Sequence, residues 1–182
     1  SIMTGLRPDT LNMHTLAHEL RKKNLDVVTL GQLFRNNGYF SARAGKIYHY
    51  GNPKQIGTDA NDDPATWDER YNPAGIDKQH EDKIINHGPN KGLGISMAWW
   101  DPVSKDEEHT DGMAASWIID QIEKKKDEPF FLAAGFFNPH CPYVAPKRYF
   151  DMYPLDEITI PDLKKAKEDL KDVPPMAIKR DT

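Results

Sequence analysis

Between Pro129 and Pro142 the chain runs Phe130-Phe131-Leu132-Ala133-Ala134-Gly135-Phe136-Phe137 and then breaks into Asn138-Pro139-His140-Cys141. An uncharged apolar run closed by prolines suits a strand buried on both faces, as in the parallel sheets of α/β proteins. Pro139 has no N–H to give to a ladder and pushes Asn138 toward extended backbone, so the strand is expected to end near Asn138. His140 then follows the carboxyl end of a central strand, where open α/β sheets place their ligands. Taken alone, the run is equally satisfied by a core strand and a half-buried loop histidine.

Helix and strand signals around this run repeat a βα order. Thr29 can cap a helix whose apolar stripe is Leu30, Leu33 and Phe34 and whose end is closed by Gly38. Residues 39–44 alternate as a strand and lead into Gly45-Lys46-Ile47-Tyr48-His49. Residues 110–126 predict a second helix, capped by Thr110 or Asp111 and buried along Met113, Trp117, Ile118 and Ile122. Lys124, Lys125 and Lys126 sit at its end, where cations suit the helix dipole. Helix, short turn and strand thus occur twice, which predicts an α/β fold with a mostly parallel sheet flanked by helices.

Residues 50–109 have a different texture, rich in Asn, Asp, Pro and Gly with little periodicity, and read as a long irregular excursion from the sheet. Asp59, Asp62 and Asp63 lack calcium-loop spacing and its closing glutamate, so a solvated acidic loop is expected there. His14 and His18 lie one helical turn apart without the intervening glutamate of a zinc motif, and charged neighbours predict a solvated face. Residues 146–150 read as a short helix or turn, and the 164–171 run as a charged helix or a disordered end.

A chain of 182 residues supports one domain with a real core, and the whole of it is read as one. The net charge of -4 argues against a dedicated nucleic-acid binder. No apolar run approaches a membrane span in length. Cys141 is the single cysteine, which excludes an internal disulfide and a multi-cysteine metal site. Ser1-Ile2-Met3-Thr4-Gly5 has neither the basic start nor the apolar core of a signal peptide, and the chain is expected to be a piece of something longer.

Two strand ends present polar groups, Lys46 with His49 and Asn138 with His140. A lysine and two histidines converging on one spot would form a cationic pocket for a tetrahedral oxyanion, with an imidazole able to move a proton near neutral pH. Each motif alone is weak, because a lysine at a strand end is usually solvated and a lone histidine is more often structural.

Their order is more informative. Thr4-Gly5-x-Arg7-Pro8-Asp9-Thr10, the Thr29-Leu30-Gly31-Gln32-Leu33-Phe34 helix, Gly45-Lys46-Ile47-Tyr48-His49, the 129–143 stretch and Pro146-Lys147 together resemble the type I sulfatases. Within the alkaline-phosphatase-like superfamily the chain is most similar to the iduronate-2-sulfatase-like branch, which Met152-Tyr153-Pro154-Leu155-Asp156-Glu157-Ile158-Thr159-Ile160-Pro161 also fits. The resemblance covers nearly the whole chain and is weakest across 50–109.

The resemblance implies hydrolysis of a sulfate ester, on a sulfated carbohydrate. In that family a cysteine or serine converted to formylglycine attacks sulfur, and a calcium ion held by acidic residues assists. Lys46 matches a residue expected to contact sulfate. His49 matches one expected beside the formylglycine. His140 matches one expected to bind sulfate and to protonate the leaving alcohol. The C-x-P-S-R motif of the modified residue and the calcium ligands are absent, so the chain is expected to be the middle of a sulfatase domain and inactive alone. Cys141 is not that nucleophile, since Pro-Ser-Arg does not follow it, and it is expected to be a loop or half-buried thiol. Export to a periplasmic or extracellular space is implied by the family. The alternatives are a phosphodiesterase or phosphonate hydrolase of the same superfamily, and a non-catalytic binding module lacking the nucleophile.

Overall fold

β1 (Phe40–Gly45) runs through the middle of the main sheet, and its Ser41-Ala42-Arg43-Ala44-Gly45 segment is fully buried. The computed structural model describes residues 1–88, 90–162, 168–174 and 177. Before β1 come α1 (Pro8–Leu11), α2 (Leu20–Lys23) and α3 (Leu30–Asn36). After it come β2 (Glu69–Tyr71), α4 (Ile76–Gln79), β3 (Ile85–Asn86), β4 (Ala98–Trp100), α5 (Thr110–Lys125), β5 (Phe130–Gly135), β6 (Tyr143–Val144) and α6 (Lys147–Phe150). Ser1–Phe150 forms one compact unit and Asp151–Thr182 a second.

The main sheet has the order β2-β1-β5 and is parallel throughout, with Phe40 opposite Phe130 and Gly45 opposite Gly135. α3 packs on β1, and α5 packs on both β1 and β5. This is the α/β arrangement that the repeated helix-strand order predicts. The central position is held by β1, however, and β5 pairs with β1 alone among the described strands. Most of β5 is accordingly only half-buried. β5 also stops at Gly135, three residues short of the expected end, because the N–H groups of Phe137 and Asn138 turn to the Asp111 carboxylate at 2.8 and 2.9 Å.

The helices form where the sequence places them, with different buried faces. Thr29 caps α3 by accepting from the Gln32 N–H at 3.3 Å, and Gly38 closes the end at φ +82°. Leu30 and Leu33 are exposed, while Gly31 is buried against Thr66 and Ser41 and Phe34 stacks on Phe131 at 4.8 Å. In α5 neither Thr110 nor Asp111 serves as the N-cap, which is His109 without a side-chain bond. Thr110, Ala114 and Gln121 are its buried residues, Met113, Trp117 and Ile118 are half-buried, and Ile122 is exposed. Small residues face the sheet because α5 approaches it closely; Ala114 Cβ lies near Gly45.

The 50–109 excursion is more ordered than its texture suggests. It returns to the main sheet as β2 and supplies β3 and β4 to a second sheet of order β3-β4-β6. Its acidic residues are not all solvated. The side chains of Asp62 and Asp63 are each about 1% exposed, one bound by the buried Arg43 and the other by Arg21 at 2.7 Å. Asp59 alone of the three is exposed. His14 is solvated beside Asp9, but His18 is half-buried, with an Nδ1 that has no hydrogen-bond partner. In the second unit Leu155–Glu157 and Leu170–Asp172 are single 3-10 turns. Residues 164–167 of the charged run lie outside the described residues.

Candidate functional site

Two glycines bring the ends of β1 and β5 together. Gly45 has φ +72°, and a Cβ on it would lie 2.1 Å from the Gly135 carbonyl oxygen. A Cβ on Gly135 would lie 1.9 Å from the carbonyl oxygen of Lys46. Only residues without side chains allow that approach. It lets the Lys46 N–H donate to the Gly135 carbonyl at 2.8 Å. Lys46 therefore starts its loop against the segment that carries the second motif, with its Nζ 6.0 Å from the Phe137 ring centroid.

The second motif is held by its backbone. Phe137 is buried edge-on against Tyr50 at 5.8 Å, and its carbonyl accepts from the His140 N–H at 2.9 Å. The Asn52 side chain donates to the Cys141 carbonyl at 2.9 Å, and the Cys141 thiol donates to the Gly94 carbonyl at 2.9 Å. Cys141 is thus a half-buried loop thiol, as its sequence context predicts. The His140 side chain is exposed, and its Nδ1 lies 2.7 Å from the Cys141 carbonyl. A carbonyl can only accept, so Nδ1 carries the proton and Nε2 is left to exchange one with a ligand.

His49 completes the group. It is half-buried, and its pKa is lowered from the ordinary histidine value by burial first, then by the nearby Lys46 cation and His140. Lys46, His49 and His140 thus share one electrostatic environment, although His49 and His140 lie far apart in sequence. A neutral imidazole beside a lysine cation suits a site that waits for an anion. The anion would relieve the repulsion and let His49 take up a proton. His49 also lines a cavity of about 470 Å³ together with Thr4, His18 and Tyr48.

A shell of buried polar contacts fixes these loops from beneath. The fully buried Arg43 guanidinium donates to the Gly45 carbonyl at 3.2 Å, the Tyr71 carbonyl at 3.3 Å and Asn72 at 2.6 Å. Its Nε donates to Asp62 at 2.9 Å. Tyr48, between Lys46 and His49, hydrogen-bonds Thr66 at 2.9 Å, and burial pushes its pKa up to about 12. Burial tends to raise the Asp63 pKa, but bonds from Arg21 and Thr66 hold the group below its ordinary value. Asp111 is raised by burial, although it accepts from the Phe137 and Asn138 N–H groups.

Sequence reasoning named Lys46, His49 and His140 and overlooked Arg43, Asp111 and Asn52. Arg43 left a signal, since an arginine among small residues in the most buried strand must be paired. Asp111 and Asn52 left none, because each acts on backbone far away in the chain. The family resemblance also implies calcium. Among the described residues no group of three or more His, Cys, Asp or Glu side chains could hold a metal ion. Asp62 and Asp63 are already engaged by arginines. The described residues do not fit the ion.

A sulfatase family model matches residues 1–165. A sulfatase from Formosa agariphila is 28% identical over 203 aligned residues, covering 98% of this chain and 36% of that protein. The iduronate 2-sulfatase of Homo sapiens is 31% identical over 165 residues, covering 88% of this chain and 29% of that protein. The choline-sulfatase of Rhizobium meliloti is 25% identical, covering 90% of this chain and 32% of that protein. The chain spans about a third of the length of these curated relatives. With the two polar strand ends of a parallel sheet abutting and that match running from the first residue to 165, the chain belongs to the sulfatase family.

Proposed function

We propose that this chain supplies the sulfate-binding and proton-transfer groups of a sulfuric ester hydrolase acting on a sulfated carbohydrate. The observation that carries the reading is the shared environment of Lys46, His49 and His140 at the carboxyl ends of β1 and β5. The names of the iduronate 2-sulfatase relatives support the sugar.

In this reading the Lys46 ammonium holds the sulfate oxygens and stabilises the charge that builds on them as the ester bond breaks. His140 keeps its Nδ1 proton on the Cys141 carbonyl and offers Nε2 toward the leaving oxygen. Once protonated there, it donates that proton to the departing alcohol. His49, neutral before the anion arrives, takes up a proton in its company and returns it in the following step. The formylglycine nucleophile and calcium that are general in the family would supply the attack on the sulfur that Lys46 and His140 hold. The proposed location is outside the cytoplasm, periplasmic or extracellular, by analogy with the family. No helix among the described residues is long and apolar enough to cross a membrane.

The test is turnover of para-nitrophenyl sulfate against para-nitrophenyl phosphate and its diester, by the complete domain that contains this chain. The expected result is sulfate-ester hydrolysis that, on a sulfated sugar whose alcohol needs a proton to leave, falls by about 100-fold or more in His140→Ala, the range of a lost general acid, and falls less on para-nitrophenyl sulfate, whose phenolate leaves unaided. Lys46→Ala is expected to lose as much. Hydrolysis of the phosphate diester without the sulfate would replace this reading by the phosphodiesterase one. No hydrolysis of any of them would leave a binding module.

A further inference from the structure

Asn52 reaches the second motif from a different loop. Tyr50, Ile56 and Phe137 form one buried apolar cluster, and the buried Pro53 lines a small void with Ile56 and Phe137. That packing brings the loop after β1 against the 137–142 segment. The Asn52 Nδ2 group donates to the Cys141 carbonyl at 2.9 Å and, more weakly, to the His140 carbonyl at 3.4 Å. Carbonyl oxygens only accept, so the nitrogen of the amide and not its oxygen must face them. The Asn52 Oδ1 is buried and meets no hydrogen-bond partner. A buried oxygen left unmet is unfavourable. The amide is therefore held there for what its N–H groups do.

Those groups act on the carbonyl that carries His140. The His140 Nδ1 lies 2.7 Å from the Cys141 oxygen, so this one oxygen accepts from the imidazole and from Asn52. A carbonyl has two lone pairs and can serve both. The ring rests on the carbonyl of the very next residue, and its direction follows the plane of that peptide. The plane is held at two points. Asn52 holds its oxygen, and the Cys141 thiol donates to the Gly94 carbonyl at 2.9 Å. A thiol is the weaker donor of the two. The His140 side chain is exposed, so packing does not hold the ring. Which nitrogen of an imidazole carries the proton is set by the bond that the other one makes. A fixed acceptor at Nδ1 keeps Nε2 free to take and give a proton.

We propose that Asn52 is the positioning residue of His140: by holding the Cys141 carbonyl it fixes the ring direction and the tautomer that present Nε2 to the leaving oxygen. Asn52 touches no reacting atom in this arrangement and acts only through that carbonyl. The inference rests on the proton-transfer reading of His140, and its test keeps the two apart. Two readouts are taken on the complete domain that contains this chain, in the native protein, Asn52→Ala, Asn52→Asp and His140→Ala. Histidine nitrogen NMR reports which ring nitrogen of His140 carries the proton. Turnover compares a sulfated sugar, whose alcohol needs a proton to leave, with para-nitrophenyl sulfate, whose phenolate does not.

Native His140 is expected as the Nδ1–H tautomer, and Asn52→Ala is expected to show a mixture of the two tautomers. In that variant kcat on the sulfated sugar is expected to fall about tenfold, the worth of one hydrogen bond, with KM unchanged. Turnover of para-nitrophenyl sulfate is expected to stay within about twofold of native, since no proton is needed there. Asn52→Asp keeps the shape and at neutral pH has no N–H to give. It is expected to match Asn52→Ala, and it carries the test if the alanine variant does not fold. An Nδ1–H tautomer kept in both variants would overturn the role. So would an equal fall on both substrates, the mark of a general loss of structure. A released tautomer, together with a His140→Ala protein that turns over the sulfated sugar as fast as native, would sink the proton-transfer reading and keep Asn52 as the residue that positions His140.

Discussion

Arg43 shows how much of this molecule depends on single buried charges. A guanidinium without exposure, inside a strand, costs several kcal/mol of lost hydration unless every donor is met. Here the donors reach Asp62, Asn72 and the carbonyls of Gly45 and Tyr71, so the charge that is expensive to bury ties β1 to the excursion that follows it. Asp63 with Arg21 does the same for the segment before α3. The sequence made these aspartates look solvated because their partners lie tens of residues away, and no local pattern records such a pairing. Histidine protonation works in the opposite direction. His109 is 5% exposed, with Nε2 bonded to Ser104 at 2.7 Å, and burial lowers its pKa from 6.5 despite the acidic groups Asp77, Asp106, Glu108 and Asp111 around it. His49 is lowered as well. A histidine depressed in the folded state contributes stability above its unfolded pKa and loses it as pH falls through the folded value. The urea midpoint is therefore expected to be flat above pH 6.5 and to fall below it, in a window lying under that value. A His109→Gln variant should flatten the fall. An unchanged slope in that variant would show that burial of His109 does not govern it.

Elements meet here through glycines and borrowed carboxylates. β1 and β5 were both legible, because each is a run of apolar or small residues leading into a motif. Their order in the sheet was not, since periodicity says whether a strand is buried and not which neighbour it takes. β2, β3, β4 and β6 are two or three residues long, too short for any period; β2 takes the open ladder of β1, and β3, β4 and β6 pair with one another in a sheet of their own. The end of β5 was misplaced for a related reason, since Asp111 on α5 captures the next two N–H groups. This gives a paired expectation. Gly135→Ala puts a methyl group against the Lys46 backbone and is expected to cost about 1–3 kcal/mol, the usual range for overpacking. Asp111→Ala leaves the Phe137 and Asn138 N–H groups without their acceptor and is expected to cost about 1–3 kcal/mol. Urea denaturation checks both. A loss under about 0.5 kcal/mol in either variant, the range of an ordinary surface change, would contradict the role given to that contact.

At the scale of the whole molecule, the first unit puts its chemistry at one edge of one sheet. Lys46, His49 and His140 leave the carboxyl ends of neighbouring parallel strands, and the second sheet begins where their loops end. The three candidate residues were legible because family motifs carry them. The second sheet was not, because its pairing of three short strands appears only once their register is known. In the proposed function the three polar residues act as one anion site. The direct measurement is an NMR pH titration of the His49 and His140 imidazoles with and without sodium sulfate, in the chain and in Lys46→Ala. A His49 pKa below the ordinary histidine value without the anion, a rise in it when sulfate binds, and sulfate binding weakened by about tenfold or more in Lys46→Ala are expected, the last as for a lost charge-assisted contact. Histidines that titrate identically with and without sulfate, in the chain and the variant alike, would contradict it.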